Sequence, residues 1–269
     1  MRILYFRRLE CDLDFSGDFH GKDGPLPIKR VRQSDWSGFI RAVSEAYDAL
    51  GLHFRPDFNG GFGDGYSVVP LTNRNGRRVS AAMAYLSESV RSRLNLTILP
   101  ETTVVRLTFS GTTITGVETE NKSGLQSYSA SRVILCAGAL HPPAILMRSG
   151  IGPAKQLVQL GIPVVADLKG VGQNLQEHPT ICVSAYLKSA DRLSASVSEY
   201  IQMHARYSSG YDGCPSTDMA ISTVANHPGT PSGSASAPSL YGSIAVTRRE
   251  PSYSRTVRTG QSRRSTSTG

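Results

Sequence analysis

The sequence has 269 residues, of which 39% are hydrophobic and 19% charged, the composition of a globular protein that can bury a core in one or two domains. It holds no run of about 18 apolar residues, and acids follow its short apolar N-terminal stretch, so neither a membrane span nor a secretory signal is expected. The net charge is +8, but residues 231–269, with six arginines and one acid, carry five of these charges, so a nucleic-acid partner is not expected.

The cysteines give no sign of a metal site or a disulfide framework. Four are present, far apart and without a CxxC pair: Cys11, Cys136, Cys182 and Cys214. Such spacing favours reduced thiols without a ligand role, so the sequence predicts no metal.

The N-terminal part predicts a loop followed by an amphipathic helix. Residues 10–32 read as loop because Gly and Pro stand at turn positions. The helix that follows has Ser34 as its expected N-cap and Gly51 as the left-handed residue after its end. Six apolar residues recur between them at helical spacing and predict one core-facing side: Trp36, Phe39, Ile40, Val43, Tyr47 and Leu50.

Residues 56–79 predict a second loop region. Four glycines in it superficially suggest a phosphate-binding loop: Gly60, Gly61, Gly63 and Gly65. Their spacing is not GxGxxG and no apolar strand precedes them, so a flexible or closely packed loop is the better interpretation. A second helix is expected to begin at Ser80 and to run through Val90.

The middle of the chain changes to strand-like periodicity. Three short β-branched stretches separated by turn residues predict a small antiparallel meander: Leu96–Leu99, Val104–Phe109 and Ile114–Val117. The apolar run Arg132–Gly138 then predicts a strand buried on both faces of a parallel sheet. This run ends in small residues, which a cofactor bound beyond the carboxyl end of such a strand would require.

Two short helices and a polar tail follow. Two prolines can open a helix over Ala144–Arg148, which Gly150 can end. A further helix, Ala154–Leu160, is expected to stop at Gly161. Residues 228–269 are rich in Ser, Thr, Gly, Pro and Arg and are expected to be disordered, because so few of them are apolar.

Three motifs, in this order, resemble those of the glucose–methanol–choline (GMC) oxidoreductases. The first is HGKDGPLPIKR with NGRRVSAAMAYL, found in substrate-side segments of that family; the second is GALHPPAILMRSGIG; the third is DLKGVGQNLQEHP. Two positions depart from the family pattern: Pro142 replaces Ser or Thr, and Glu177 replaces Asp. The resemblance, which is to choline- and alcohol-dehydrogenase-like members, covers about residues 6–246.

The resemblance implies FAD as cofactor and assigns a few residues to it. Val104 matches a position whose backbone contacts the adenine end of FAD. Ala137, Gly138 and Ala139 match the turn that lies against the cofactor, where small side chains permit close approach. Asn174 matches a position near the flavin, and with Gln176 and His178 it either shapes the wall there or satisfies buried backbone groups. The alternative to a cofactor contact is a purely structural role, as an ordinary strand residue for Val104 and as a strand-to-helix turn for Gly138.

No catalytic residue is assigned to this chain. Alcohol oxidation needs a base to take the hydroxyl proton, and His178 is the obvious candidate by residue type. The resemblance argues against it, because the family uses a histidine near its C-terminal end, paired with another His or Asn. The other histidines are expected to be structural or at the surface: His141, His204 and His227.

The predicted fold is α/β with α+β character. It comprises an incomplete FAD-binding domain, with a parallel strand and a β-meander, and part of a substrate-binding domain. The expected divisions are substrate-side and connecting segments over 1–95, part of the FAD-binding domain over 96–180, the start of the substrate domain over 181–246, and a disordered or out-of-frame tail over 247–269. SLYGSIAV, Ser239–Val246, is expected to be a strand.

The family pattern is expected to be incomplete here. The glycine-rich dinucleotide fingerprint and the C-terminal histidine pair are both missing from the sequence, which therefore resembles an interior fragment. The tail resembles nothing in the family, and one hypothesis is that it is translated out of frame. Sequencing the locus tests this, since an uninterrupted gene with a clean stop would contradict it.

The leading functional prediction is an FAD-dependent oxidoreductase acting on the CH–OH group of a small-molecule alcohol, truncated, with a cytoplasmic location. The alternative is a non-catalytic gene fragment that does not bind FAD; a yellow or a colourless purified protein separates the two. A minor alternative is a basic anion- or nucleic-acid-binding protein, for which deletion of residues 231–269 would abolish binding.

Overall fold

The computed structural model describes residues 2–194, 196–197, 199–225 and 241–248. Contacts divide the chain into two compact units. Unit 1 comprises residues 1–85 together with the described residues from 178 onward, and unit 2 comprises Leu86–Glu177. The segments 1–95 and 181–246, which the sequence treats separately, thus belong largely to one unit that is discontinuous in sequence.

The described residues contain six α-helices and two short 3₁₀ turns. The helices are α1 Arg2–Leu9, α2 Gly38–Ala49, α3 Ala81–Tyr85, α4 Glu88–Arg91, α5 His141–Arg148 and α6 Ala154–Gln159; the 3₁₀ turns are Gln33–Asp35 and Ser189–Asp191. None of these helices is long and apolar enough to cross a membrane.

Fourteen strands accompany them in the described part of the chain. They are β1 Glu10–Asp12, β2 Leu26–Ile28, β3 Gly65–Val68, β4 Asn73–Arg74, β5 Arg77–Arg78, β6 Thr103–Ser110, β7 Thr113–Asn121, β8 Gly124–Ser129, β9 Ile151–Gly152, β10 Ala166–Asp167, β11 Thr180–Tyr186, β12 Ile201–Tyr207, β13 Met219–Ala225 and β14 Tyr241–Arg248.

Unit 1 is organised around a five-stranded antiparallel sheet with the order β11-β14-β13-β12-β3. Helix α2 packs on this sheet against β3 and β13. The apolar side predicted for the helix does form the core, with Ile40 fully buried and Trp36, Val43 and Tyr47 nearly so. Leu50 is the exception at 77% exposed, because the helix ends before it.

The cap of α2 differs from the prediction. Ser34 lies in a separate 3₁₀ turn, and Ser37 is the N-cap, its Oγ accepting a hydrogen bond from the Ile40 N–H at 3.3 Å. Gly51 follows the helix with φ +81°, as its assignment to the left-handed position required.

The predicted loop over 56–79 is wrong in part. Gly65–Val68 is a strand, β3, whose four residues are all buried at the edge of the unit 1 sheet. The run of glycines concealed it, because Gly weakens a strand signal. Gly65 itself lies close to neighbouring backbone: a Cβ there would come within 2.6 Å of the His53 carbonyl oxygen.

Unit 2 contains a meander in which two strands, β6 and β7, were predicted and the third, β8, was not. Strands β6, β7 and β8 form a three-stranded antiparallel sheet in that order. Helix α5 is tied to the outer edge of β6, because Ser149 Oγ accepts from the Leu107 N–H at 2.8 Å and Arg148 Nε donates to the Val105 carbonyl at 2.8 Å. The stretch Leu96–Leu99, predicted as a strand, is irregular and mostly exposed.

The predicted parallel strand Arg132–Gly138 is not formed. The segment is irregular and largely exposed, with Ile134 at 77%. A strand buried on both faces needs neighbouring strands and covering helices, and no described strand pairs with this segment. The parallel pairs in the described structure are two short ones, β1 with β2 and β9 with β10.

The remaining predictions mostly hold. Helices α5 and α6 lie where expected, with Gly150 and Gly161 at φ +84° and +70° after their ends. The helix predicted from Ser80 is two short helices, α3 and α4. The SLYGSIAV strand is β14, which extends to Arg248; the rest of the predicted tail lies outside the described residues, as does His227.

Candidate functional site

Val104 lies in β6, an edge strand of the unit 2 meander. It pairs with Thr119 of β7, next to a β-bulge between Val104 and Arg106. An edge strand leaves part of its backbone without a partner strand, which is the arrangement that a ligand bound by backbone hydrogen bonds requires. A bulge re-aims the strand locally. The position is therefore compatible with the predicted contact to the adenine end of FAD.

The turn of Ala137, Gly138 and Ala139 is exposed. Gly138 adopts φ +82°, a conformation that L-residues rarely adopt, and nothing lies within 4 Å of the position of an added Cβ. A flat ligand could therefore approach the backbone of this turn, whereas a larger side chain at Gly138 would occupy that space. The residues present fit the predicted cofactor.

Asn174 also has an unusual backbone conformation, with φ +56°, and it is exposed. Its neighbours Gln176 and His178 are exposed as well. Asparagine tolerates the left-handed region better than most residues, so the backbone conformation of the loop accounts for an asparagine at this position. The exposure does not support the alternative role for these side chains, the satisfaction of buried backbone groups.

A second cluster, which the sequence did not predict as a site, lies in unit 1. Strand alternation puts Glu10 and Asp12 of β1 on one face. The parallel pairing of β1 with β2 brings the connecting turn at His20 and Gly21, called the HG turn below, beside them. His20 is 5% exposed and Asp12 is fully buried. The His20 Nδ1 atom lies 3.1 Å from Asp12 Oδ2 and 3.5 Å from Glu10 Oε1, and Nε2 lies 2.8 Å from Asp57 Oδ2.

Arg30 completes this cluster. Its Nη1 atom donates to both oxygens of Asp12 at 3.0 Å, and Nη2 donates to Asp57 Oδ1 at 3.4 Å. The guanidinium also lies over the ring of Phe15, 4.6 Å from its centroid, and that ring stacks on His20. The buried charges are thus paired rather than isolated.

The carboxyl of Asp12 is held ionised by its surroundings. Burial alone would raise its pKa, but the backbone N–H groups of Phe15 and Asp14 and the Arg30 guanidinium outweigh it, and the pKa lies below its usual value. Asp12 is therefore a permanent negative charge in the interior of unit 1.

The sequence carries a pattern that could have indicated this cluster. An E-x-D pattern immediately before HGKDGP places two carboxylates of one strand face next to a histidine turn. The turn needs glycine at position 21, because a Cβ there would come within 1.8 Å of the Arg7 carbonyl oxygen. Its N–H donates to Glu10 Oε1 at 2.8 Å.

Comparison with known proteins decides the family. Residues 4–180 match the family model described as GMC oxidoreductase. The chain belongs to the GMC oxidoreductase family. It is 43% identical over 223 residues to 5-(hydroxymethyl)furfural oxidase of Methylovorus sp. (strain MP688), covering 81% of this chain and 42% of that protein. It is 40% identical over 184 residues to human mitochondrial choline dehydrogenase, covering 67% of this chain and 30% of that protein.

Solved structures agree with this assignment. Pyridoxine 4-oxidase from Mesorbium loti matches with a TM-score of 0.77 and 29% identity, covering 93% of this GMC chain and 49% of that one. A formate oxidase from Aspergillus oryzae matches with a TM-score of 0.76 at 21% identity, covering 91% and 52%, and shows the fold alone.

These matches confirm three predictions. The family is the one predicted, the fold is of the expected mixed class, and FAD is the cofactor of the family. The chain spans 30–42% of the length of these two curated relatives, in agreement with the expected fragment character. No comparison tests the assignment of Val104, Ala137, Gly138, Ala139 and Asn174 to the cofactor, which stays a prediction.

Proposed function

We propose that this chain forms part of an FAD-dependent oxidoreductase that oxidises the CH–OH group of a small-molecule alcohol. The observation that carries the proposal is the match of residues 4–180 to the GMC family, together with the open turn at Gly138. Two relatives, a 5-(hydroxymethyl)furfural oxidase and a choline dehydrogenase, support an alcohol donor as the substrate class. A cytoplasmic location stays a prediction.

In this proposal unit 2 supplies a wall of the cofactor site. FAD, when bound, would accept the hydride that leaves the alcohol carbon. The backbone of the Ala137–Ala139 turn would lie against the flat cofactor, and the backbone of β6 at Val104 would contact its adenine end. Asn174 would add a polar side chain on the flavin side.

We assign no described residue to the removal of the hydroxyl proton. His141 and His178 are exposed and lie outside the buried cluster of unit 1. His20 is enclosed by carboxylates and by Arg30, which suits a structural or ligand role better than contact with an alcohol. The residues of this chain therefore bind and orient, in this proposal, rather than move protons.

An FAD titration of the purified chain tests the proposal, with quenching of flavin fluorescence as the signal. Gly138→Val is expected to weaken binding at least about tenfold, because a branched side chain fills the space next to the turn. Gly111→Val is the matched control. Gly111 also has a positive φ, +59°, and open space at its Cβ position, but it lies in the β6–β7 turn away from the predicted contacts.

Equal FAD binding by the two variants would contradict the assigned site, whereas no binding by the unmodified chain would favour the alternative function. That alternative, a non-catalytic fragment that does not bind FAD, has an observation in its favour. Ile134 and Leu140, which flank the turn, are 77% and 65% exposed, so the proposed wall is not supported by a packed core. A colourless, protease-sensitive protein is its expected signature.

A further inference from the structure

The buried cluster of unit 1 presents a ring nitrogen that makes no hydrogen bond. His20 Nδ1 is buried and has no hydrogen-bond partner, although Asp12 Oδ2 lies 3.1 Å away and Glu10 Oε1 lies 3.5 Å away. A buried polar atom without a hydrogen bond is rare in proteins and requires a physical explanation. The distances are short enough for an ion pair, but the directions do not give a hydrogen bond.

The contact of the other ring nitrogen, Nε2, indicates whether Nδ1 carries a proton in the neutral ring. Nε2 lies 2.8 Å from Asp57 Oδ2, so it bears the proton that it donates to this carboxylate. In a neutral ring Nδ1 is then a lone pair that faces two carboxylate oxygens. Lone pair and anions repel one another unless a positive charge lies between them. A histidine whose second nitrogen donates to a carboxylate is also the usual arrangement of a metal-bound imidazole.

We propose that Glu10 Oε1, Asp12 Oδ2 and His20 Nδ1 form a binding site for one divalent transition-metal ion of the Zn²⁺ type. One ligand atom from each of the three residues lies within 4.8 Å of the other two. Two ligand atoms held about 2.0–2.2 Å from one ion are separated by roughly 3–3.5 Å. The 3.1 and 3.5 Å separations observed here match that spacing. Asp57 orients the imidazole from its far side.

The charge of the cluster favours a bound cation. Four carboxylates, those of Glu10, Asp12, Asp14 and Asp57, lie in the cluster with one guanidinium, that of Arg30. Two further cations donate to backbone carbonyls of the cluster, Lys22 Nζ to Asp12 at 2.6 Å and Arg7 Nε to His20 at 3.3 Å. With a neutral imidazole, one negative charge remains, which attracts a cation. The nitrogen ligand favours Zn²⁺ over Mg²⁺ or Ca²⁺, which prefer oxygen donors.

Arg30 limits the affinity without removing the site. It donates to both oxygens of Asp12, so a metal ion at Oδ2 shares that carboxylate with a positive charge. A proton on Nδ1 is the competing way to place positive charge there, and it predicts no stoichiometric metal. The two possibilities differ in metal binding, and this difference is the basis of the test.

The test is calorimetric titration of the metal-free purified chain with ZnCl₂. One Zn²⁺ per chain is expected. Glu10→Gln and His20→Gln should each weaken binding at least about tenfold, because each removes a ligand. Asp18→Asn is the matched control, since Asp18 lies in the same loop, is exposed and takes no part in the cluster. It should bind like the unmodified chain. Failure of the unmodified chain to bind Zn²⁺, or equal binding by all three variants, overturns the proposal.

Two further measurements keep the result interpretable. Glu10→Gln retains an amide oxygen that can accept from the Gly21 N–H, so it should fold as judged by circular dichroism even if His20→Gln does not. It then decides the question alone. Cobalt loading separates this site from the exposed thiols of Cys136 and Cys182, because the proposed ligands give no thiolate charge-transfer band. A strong thiolate band at one equivalent would contradict the assignment.

Discussion

The two units of this chain differ in how they bury apolar side chains and pair charged ones. Unit 1 buries a core of aromatic and aliphatic residues under α2 and encloses an ion cluster in which each buried charge has a partner. Among the described residues, unit 2 buries three large hydrophobic residues, Leu107, Ile145 and Leu157, against ten in unit 1. Burial of apolar surface is the main driving force of folding, so unit 1 should hold most of the stability of this chain.

The difference also separates two kinds of site. The His20 cluster gathers residues from Glu10 to Asp57, all from within unit 1, so its geometry is fixed within that unit. The Ala137–Ala139 turn instead depends on what lies against it, since the apolar residues around it are exposed. The geometry of this turn is therefore not determined by residues 137–139 alone.

The largest effect that would sharpen this comparison is expected at Arg30. Arg30→Met should destabilise unit 1 by about 3–5 kcal/mol, because it leaves the fully buried carboxylate of Asp12 without its main cation. Urea unfolding in a chelating buffer measures this, with fluorescence of the single tryptophan, Trp36, as the signal from the unit 1 core.

Arg106→Met is the control for that measurement. Arg106 pairs with Glu118 in unit 2 at 2.9 Å, and the pair is exposed on the meander. Solvent screens such a pair, so no measurable change in unfolding followed by circular dichroism is expected. Equal losses of stability in the two variants would contradict the view that the buried ion pairs of Arg30 stabilise the fold more than the exposed pair of Arg106.

The next effect compares apolar residues. Ile40→Ala is expected to cost about 2–5 kcal/mol, because Ile40 is fully buried between α2 and the sheet. Ile134→Ala should change stability by less than about 0.5 kcal/mol, because Ile134 is 77% exposed. Both are measured by urea unfolding with circular dichroism. A large loss for Ile134→Ala would mean that the Arg132–Gly138 segment is covered after all, as its sequence predicts.

The contrast explains which predictions succeeded. The apolar side of α2, the meander strands β6 and β7 and the ends of α5 and α6 depend on residues close in sequence, and periodicity and glycine positions were enough to predict them. The strand Arg132–Gly138 was predicted from composition, but a strand forms only with pairing partners, and the described residues offer it none.

The candidate sites follow the same rule. The cofactor turn was predicted from a family motif, and its contact with FAD stays a prediction. The His20 cluster was missed because its members come from β1, the turn at His20, the segment after β2 that holds Arg30, and the loop at Asp57, which converge only in three dimensions. A strand pattern of alternating carboxylates beside a histidine could have raised the question, but not the pairing with Asp57.

The smallest effect concerns the aromatic core of unit 1 at high pH. Burial, together with the hydrogen bond that Tyr66 Oη donates to Asp48 Oδ2 at 2.9 Å, raises the pKa of Tyr66 to about 12. The folded state therefore holds this proton more tightly than the unfolded chain, where tyrosine ionises near pH 10. The stability that the phenol contributes is fully present below about pH 10 and is lost as the pH rises through about 12.

Tyr66→Phe should consequently cost about 1.5–3 kcal/mol at neutral pH, through loss of the hydrogen bond to a charged acceptor. The gap between the variant and the unmodified chain should close as the pH rises from about 10 to about 12. Urea unfolding at several pH values measures the gap, and ultraviolet titration of tyrosinate in both proteins locates the ionisation. Tyr85→Phe is the control, since Tyr85 is 43% exposed and lies outside the core. A pH-independent gap would show that Tyr66 ionises alike in the folded and unfolded states, which its burial beside Asp48 opposes.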